Sequence, residues 1–181
     1  TRALEMDPDL ALAYLRRGRA YSGQRQYDLA IQDYDQALAL EPDSARAYNL
    51  RGNSFIKMGN SAQAMEDYTR AVSLDPSFAE AYYNRGGQFA LQGAYERAVE
   101  DYNKAIALNP GQWLFYSNRG LAHHYLDQQE AAVDDFTSAL QLHPNDPTLY
   151  HNRAECYRKL GRYEFAVQDY FQAREADSGY F

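Results

Sequence analysis

The chain has 181 residues, with 18 basic and 25 acidic side chains and a formal net charge of −7. This acidic balance argues against nucleic-acid and membrane-surface partners, which require a basic face. No run of apolar residues is long enough to span a bilayer. The single cysteine, Cys156, excludes a disulfide within the chain and leaves the cellular compartment open.

A period of 34 residues organises the whole sequence. Counted from the third residue after each proline, position 4 is always tyrosine, and positions 20 and 27 are always alanine. Position 8 is glycine in four repeats, and position 24 is always aromatic. The prolines that mark the period are Pro8, Pro42, Pro76, Pro110 and Pro144. A fixed period of this length predicts a solenoid in which each repeat contacts its neighbours.

The period divides the chain into a remnant and five repeats. Residues 1–10 align with the end of a repeat, which suggests that the chain is a piece of a longer protein. Five repeats then follow, at 11–44, 45–78, 79–112, 113–146 and 147–181. Each repeat is long enough for two helices joined by a turn.

The first helix of each repeat has start and stop signals. The residue after each proline is an acceptable N-cap (Asp9, Asp43, Ser77, Gly111 and Asn145). Ser77 and Glu80 form a predicted capping box, and the last repeat is also consistent with a cap at Asp146 and Pro147 as the first helical residue. Left-handed residues are expected to end the first helices at Gly59, Gly93 and Gly161. The first and fourth repeats have Arg25 and Asp127 at this place; Asp tolerates the left-handed conformation, and in the first repeat Gly23 could shift the turn.

The two helices of a repeat are expected to run antiparallel. The position numbers of facing residues then add up to the same total, because both helices rise about 1.5 Å per residue. This pairs position 4 with position 24 and the glycine at position 8 with the alanine at position 20. Position 7 is arginine and position 23 is aspartate in all five repeats, from Arg17 and Asp33 to Arg153 and Asp169. We expect a structural ion pair within a repeat or between neighbours; the alternative is a ladder of ligand-binding arginines.

The period and its aromatic, glycine, alanine and proline pattern resemble the tetratricopeptide repeat family. The resemblance implies an all-α fold, a right-handed superhelical solenoid of antiparallel helix pairs. We expect eleven helices or helix pieces, beginning with a remnant at 1–6, and no strand. The resemblance also implies a protein-binding module rather than an enzyme, with a concave groove formed by the first helices.

No constellation of residues indicates catalysis, and no cofactor or metal is predicted. His123 occupies an aromatic core position, while His124 and His151 lie on first helices of adjacent repeats. A metal site needs ligands that converge more closely. Cys156 occupies a position of small residues and is expected to pack in the core.

Position 6 is asparagine in the last three repeats, and a side-chain amide can pair with a peptide backbone regardless of its sequence. Asn118 is the central member, with Tyr83 and Tyr125 nearby for apolar contact. Cations in the first half of the same groove favour a ligand with acidic segments. The predicted ligand-binding residues are Arg16, Arg19, Arg46, Asn49, Asn53, Lys57, Tyr83, Asn84, Asn118, Tyr125 and Asn152. The alternative is a solvated polar face that repeat duplication has preserved.

The sequence therefore predicts a module that binds a partner protein or peptide in the concave groove, without nucleic acid or membrane partners. Two alternatives remain. The chain could be a structural scaffold that self-associates through its terminal repeats, where Tyr170, Phe171 and Ala173 are expected to be exposed. It could also dock substrates for, or regulate, a larger enzyme. The sequence does not identify the partner.

Overall fold

The computed structural model of the chain describes residues 8–178, and within this range every regular element is an α-helix. The predicted all-α fold is therefore confirmed, while the predicted helical remnant at 1–6 lies outside the described residues. None of the described helices is both long and apolar enough to cross a membrane. The helices are α1 (Pro8–Gly23), α2 (Tyr27–Leu40), α3 (Ala45–Lys57), α4 (Ser61–Leu74), α5 (Ala79–Leu91), α6 (Tyr95–Leu108), α7 (Trp113–Tyr125), α8 (Gln129–Leu142), α9 (Pro147–Lys159) and α10 (Tyr163–Ser178).

Helices that follow each other in sequence pack together in space, which makes the fold a solenoid. The pairs α1–α2, α3–α4, α7–α8 and α9–α10 are in contact, and so are α2–α3, α6–α7 and α8–α9. The chain divides within α5 into two compact units, one ending at Arg85 and the other beginning at Gly86. The described residues of the first unit are 8–85 and those of the second are 86–178.

The first helices α3, α5, α7 and α9 begin one residue later than the predicted caps imply, whereas the predicted cap Asp9 lies inside α1. The observed N-caps of α3 and α7 are Ser44 and Gln112. A turn that starts before the proline causes this shift, since the Ser44 amide donates to the Glu41 carbonyl. The capping box at Ser77 is wrong for the same reason: α5 begins at Ala79, and the Ser77 hydroxyl donates to Asp75 instead (2.6 Å).

The predicted alternative start of the last repeat is confirmed. Pro147 is the first residue of α9, and the Asp146 carboxylate accepts hydrogen bonds from the amides of Thr148 (2.9 Å) and Leu149 (3.2 Å). The predicted left-handed residues are confirmed at Gly59, Gly93, Asp127 and Gly161, whereas in the first repeat the turn is not shifted to Gly23 and Arg25 itself is left-handed. Their φ angles are 60° at Arg25, 80° at Gly59, 76° at Gly93, 59° at Asp127 and 71° at Gly161.

The core of each helix pair is built from the repeated alanines and the aromatic ring at position 24. The rings of Tyr34, Tyr68, Tyr102 and Phe136 are buried. The glycine at position 8 was expected to face an alanine, but the ring of position 24 lies closer. A Cβ atom added at Gly18 would lie 2.7 Å from Tyr34 Cε1 and 3.2 Å from the Ala30 carbonyl oxygen. Glycine is therefore required here because the ring occupies the space of a side chain.

Candidate functional site

The arginine at position 7 forms a two-pronged ion pair with the aspartate at position 23 of the same repeat. In the first pair, Arg17 Nε and Nη2 donate to the two carboxylate oxygens of Asp33, at 2.8 and 2.7 Å. The same arrangement recurs at Arg51–Asp67, Arg119–Asp135 and Arg153–Asp169. The predicted structural ion pair is thus confirmed in these repeats.

A third nitrogen of the same guanidinium reaches the preceding repeat. Arg51 Nη1 donates to Asp35 at 2.6 Å, Arg119 Nη1 to Asn103 at 2.5 Å, and Arg153 Nη1 to Thr137 at 2.9 Å. All three acceptors stand at position 25, on the second helix of the preceding repeat. These arginines therefore join three helices. Because their donors are used within the protein, the pattern favours structure over a ladder of ligand-binding arginines.

Burial sets the electrostatics of this network. The Asp67 side chain is only 5% exposed, and burial raises the pKa of its carboxyl above the usual range although Arg51 opposes the shift. The hydrogen bond from Arg51 to Asp67 raises the pKa of the guanidinium further above its already high value. The guanidinium keeps its proton at neutral pH, so the buried carboxyl always faces a positive charge.

A polar stripe runs along one side of α3 in the first unit. Arg46, Asn49, Asn53 and Lys57 are spaced three, four and four residues apart, which places them on one helix face. The cations at the two ends are exposed, whereas the central Asn49 is buried. All four were predicted to contact a ligand.

The asparagines of this stripe are already hydrogen-bonded to neighbouring helices. Asn84 Nδ2 on α5 donates to Asn49 Oδ1 at 2.9 Å, which joins two first helices through their amides. The buried hydroxyl of Tyr68 donates to Asn53 Oδ1 at 2.7 Å. Both carbonyl oxygens of the stripe are thus occupied by bonds within the protein. The sequence did not predict these bonds.

The predicted cations of the first unit lack acidic partners among the described residues. Arg16 and Arg19 on α1 are exposed, like Arg46 and Lys57 on α3. None of these four has a salt bridge within the part of the chain that the structure describes. We call the following set of the first unit the amide–cation face: Arg16, Arg19, Arg46, Asn49, Asn53, Lys57 and Asn84.

The remaining predicted ligand residues are distributed over both units. Tyr83 is partly buried and belongs to the first unit, whereas Asn118, Asn152 and Tyr125 belong to the second. Asn118 and Asn152 are partly exposed on α7 and α9. Tyr125 is 63% exposed and stacks on Tyr95 with ring centroids 4.8 Å apart. Its apolar surface therefore already has one aromatic neighbour.

A cluster that sequence reasoning missed lies around His124 in the second unit. His124 Nδ1 is 3.2 Å from Cys156 Sγ, and Gln129 Nε2 donates to the His124 carbonyl (3.3 Å). Burial lowers the pKa of His124 and raises the pKa of the Cys156 thiol to about 11. A buried thiol of this kind is a poor nucleophile, so the cluster acts in packing. Cys156 is part of the core, as its position predicts.

The described residues contain no group of three or more His, Cys, Asp or Glu side chains that could hold a metal ion. The polar groups of the molecule are instead arranged as pairs and stripes along helices.

Comparisons with known proteins agree with this geometry. Four sequence profiles of the tetratricopeptide repeat match the chain, over residues 49–112, 24–59, 1–32 with 136–168, and 115–146. The chain belongs to the tetratricopeptide repeat family. Family and fold together make it a protein-interaction module. No curated protein sequence matches it significantly.

Solved structures share the fold at low sequence identity. A crystal structure of MamA is 23% identical with a TM-score of 0.83 and covers 90% of this chain and 95% of its own. MamA from Desulfovibrio magneticus RS-1, starting at residue 41, is 16% identical with a TM-score of 0.86, covering 94% and 97%. Pseudomonas aeruginosa pilF is 25% identical with a TM-score of 0.83, covering 93% and 77%.

Proposed function

We propose that the chain is a non-catalytic module that binds an extended segment of a partner protein along the first helices of its repeats. The observation that carries this proposal is the amide–cation face of the first unit. Exposed guanidinium and ammonium groups flank hydrogen-bonded amides there, and the described residues provide no acid that pairs with the cations. A partner carrying acidic side chains would supply the missing charges.

The spacing of the face fits an extended peptide. Neighbouring helices pack about 8–10 Å apart, and an extended chain rises about 3.3 Å per residue. One polar position per repeat would therefore contact about every third ligand residue. Because Asn49 accepts from Asn84, the amide pair is held in one orientation before a ligand arrives, which reduces the entropy lost on binding.

The second unit adds the corresponding amides of its own repeats. Asn118 and Asn152 occupy the same repeat position as Asn84, and Tyr125 presents exposed aromatic surface. We assign these residues to backbone and apolar contacts rather than to charge recognition. The proposal thus gives charge recognition to the first unit and uncharged contacts to the second, each unit contacting its own segment of the partner.

The test begins with a random library of 12-residue peptides selected against the chain. We expect enrichment in Asp and Glu. The selected peptide is then titrated against Arg46→Ala and Lys57→Ala at low and high salt, with Arg70→Ala as the matched control. Arg70 is an exposed arginine on α4 that lies 3.7 Å from Asp43. The first two variants should lose affinity chiefly at low salt, because salt screens exposed charges.

The amides are tested separately with Asn118→Ala, which should weaken binding by about 0.5–1.5 kcal/mol at both salt concentrations. If none of these three variants changes the affinity, and protection from hydrogen exchange maps the peptide to the second helices, the proposed site is wrong. The scaffold alternative would then be favoured.

A further inference from the structure

The outward face of α10 differs from the equivalent faces of the other second helices. Positions 21, 24, 25, 27 and 28 lie along one side of each second helix. At internal junctions, positions 27 and 28 share a buried cluster with the following first helix, as Ala37 and Leu38 do with Ala47, and position 25 accepts a hydrogen bond from the following arginine. The alanine at position 27 is completely buried at Ala37, Ala71, Ala105 and Ala139. On α10 the same positions are Val167, Tyr170, Phe171, Ala173 and Arg174, which we call the α10 stripe.

Part of the α10 stripe retains the pattern of an internal junction. Tyr170 and Ala173 match the aromatic and small residues of the other repeats, and Val167 matches an apolar position. Val167 and Phe171 are 53% and 52% exposed. A shallow groove beside the stripe is lined by Pro147, Thr148, His151, Ala173 and Arg174. The stripe therefore retains the shape that receives a helix.

Two residues of the stripe differ in polarity from the residues at the same positions of the internal junctions: one is apolar instead of polar, and the other is charged instead of apolar. Position 25 accepts a hydrogen bond from the following arginine at Asp35, Asn103 and Thr137, but it is Phe171 here. Position 28 is an apolar residue in all four other repeats (Leu38, Val72, Ile106 and Leu140), but it is Arg174 here. The guanidinium of Arg174 lies 5.4 Å from the centre of the Phe171 ring. Among the described residues it has no ion-pair partner.

These two changes invert the charge preference of the face. A first helix with arginine at position 7 would find no hydrogen-bond acceptor at Phe171, and the surface one turn further along carries the guanidinium of Arg174 instead of an apolar side chain. Every repeat of this chain has arginine at position 7, so a second copy is a poor match for the stripe. A helix with a carboxylate at that place would instead pair with Arg174 while its apolar side covers Val167 and Phe171.

We propose that the α10 stripe is a docking surface for an amphipathic helix of a partner protein that carries a carboxylate where the internal first helices carry arginine. The stripe lies in the second unit, whereas the amide–cation face lies in the first. The proposal therefore does not depend on the peptide-binding function.

The probes are two stapled peptides with the sequence of α3, residues 45–57, one unaltered and one with Arg51→Glu. A staple is needed because a free 13-residue helix is only marginally stable in water. It joins residues 49 and 53, on the polar side of that helix. The net charge of the whole chain favours the unaltered, more basic peptide. A preference for the glutamate peptide would therefore have to come from the local surface.

We expect the glutamate peptide to bind at least tenfold more tightly than the arginine peptide. The double variant Phe171→Asn with Arg174→Leu restores the internal pattern and should reverse this preference. Both substitutions are at exposed positions, and circular dichroism confirms that the variant is folded. Arg70→Ala, an exposed arginine on α4 outside both the stripe and the amide–cation face, serves as the control and should leave both affinities unchanged.

Three results would overturn the proposal. The arginine peptide could bind as tightly as the glutamate peptide. The double variant could retain the original preference. Sedimentation equilibrium could also reveal self-association that Phe171→Asn abolishes, which would identify a second copy of the chain as the occupant of the stripe.

Discussion

Arg51 and Asp35 join two neighbouring repeats through a bond of 2.6 Å between Nη1 and Oδ1. The same guanidinium holds Asp67 of its own repeat with its other two nitrogens. The planar fork of an arginine can donate in several directions at once, which a lysine cannot do with the same geometry. One side chain therefore fixes both the hairpin and the junction to the preceding repeat.

The first prediction separates these two roles. Arg51→Ala should lower the free energy of unfolding by about 1–3 kcal/mol, because it leaves the buried Asp67 carboxylate without its donor. Asp35→Ala should cost about 0–1 kcal/mol, because that carboxylate is half exposed to water. Denaturant unfolding of both variants provides the measurement. Equal losses would mean that the junction bond, rather than the buried carboxylate, determines the stability.

The second prediction concerns the glycine under the aromatic ring. A Cβ atom at Gly52 would lie 2.8 Å from Tyr68 Cε1, so Gly52→Ala should destabilise the protein by about 1–3 kcal/mol. Gly87 is the matched control, because its added Cβ would meet only the Tyr102 hydroxyl, at 3.8 Å. Gly87→Ala should be neutral or stabilise by up to about 1 kcal/mol. Thermal unfolding measures both, and a stabilising Gly52→Ala would contradict the packing.

The sequence was most informative where a residue repeats. Position 7 and position 23 predicted the ion pair, but left open whether it forms within a repeat or between repeats. Within the structure, Arg51 does both: its two-pronged bond to Asp67 leaves Nη1 directed at the preceding repeat. The number of donors was known from the residue type, but their directions depend on how neighbouring helices are offset.

The amide–cation face was less predictable for a related reason. The hydrogen bond from Asn84 to Asn49 joins two different repeat positions, six and five, so the periodic pattern does not predict it. The Tyr68 hydroxyl reaches Asn53 only because the tyrosine ring crosses the glycine at position 8. The late start of the first helices likewise follows from backbone hydrogen bonds in the proline turn, which the preference for capping side chains does not reveal.

The third prediction is a loss of stability in mild acid caused by His124. Burial lowers the pKa of this imidazole in the folded state, with Lys159 acting in the same direction and Glu155 and Asp127 opposing it. The unfolded chain therefore binds the proton more readily than the folded chain. The stabilisation is complete above the unfolded pKa of about 6.5 and is lost as the pH falls through that value toward the folded pKa.

The measurement is the free energy of unfolding between pH 8 and pH 5, a range of about three units around the usual pKa of histidine. His124→Asn should flatten the acid side of the curve, whatever its effect on the stability at neutral pH. His151→Asn removes an exposed imidazole from the next repeat and should leave the difference between pH 8 and 5 in place. A wild-type slope that persists in His124→Asn would assign the acid sensitivity to another group.

The last prediction concerns the reactivity of Cys156. Its side chain is completely buried, and burial raises the pKa of the thiol to about 11. The reactive species of a cysteine is the thiolate, so at pH 8 the folded protein should react with Ellman's reagent at least a hundredfold more slowly than the denatured chain. The rate should instead follow local opening of the helices around α9.

Cys156→Ala provides the blank for the absorbance measurement, and Cys156→Ser tests whether the polar group is tolerated in the core. Rapid labelling of the folded protein would show that the His124–Cys156 pair is exposed and activated, and would return this cluster to consideration as a chemical site.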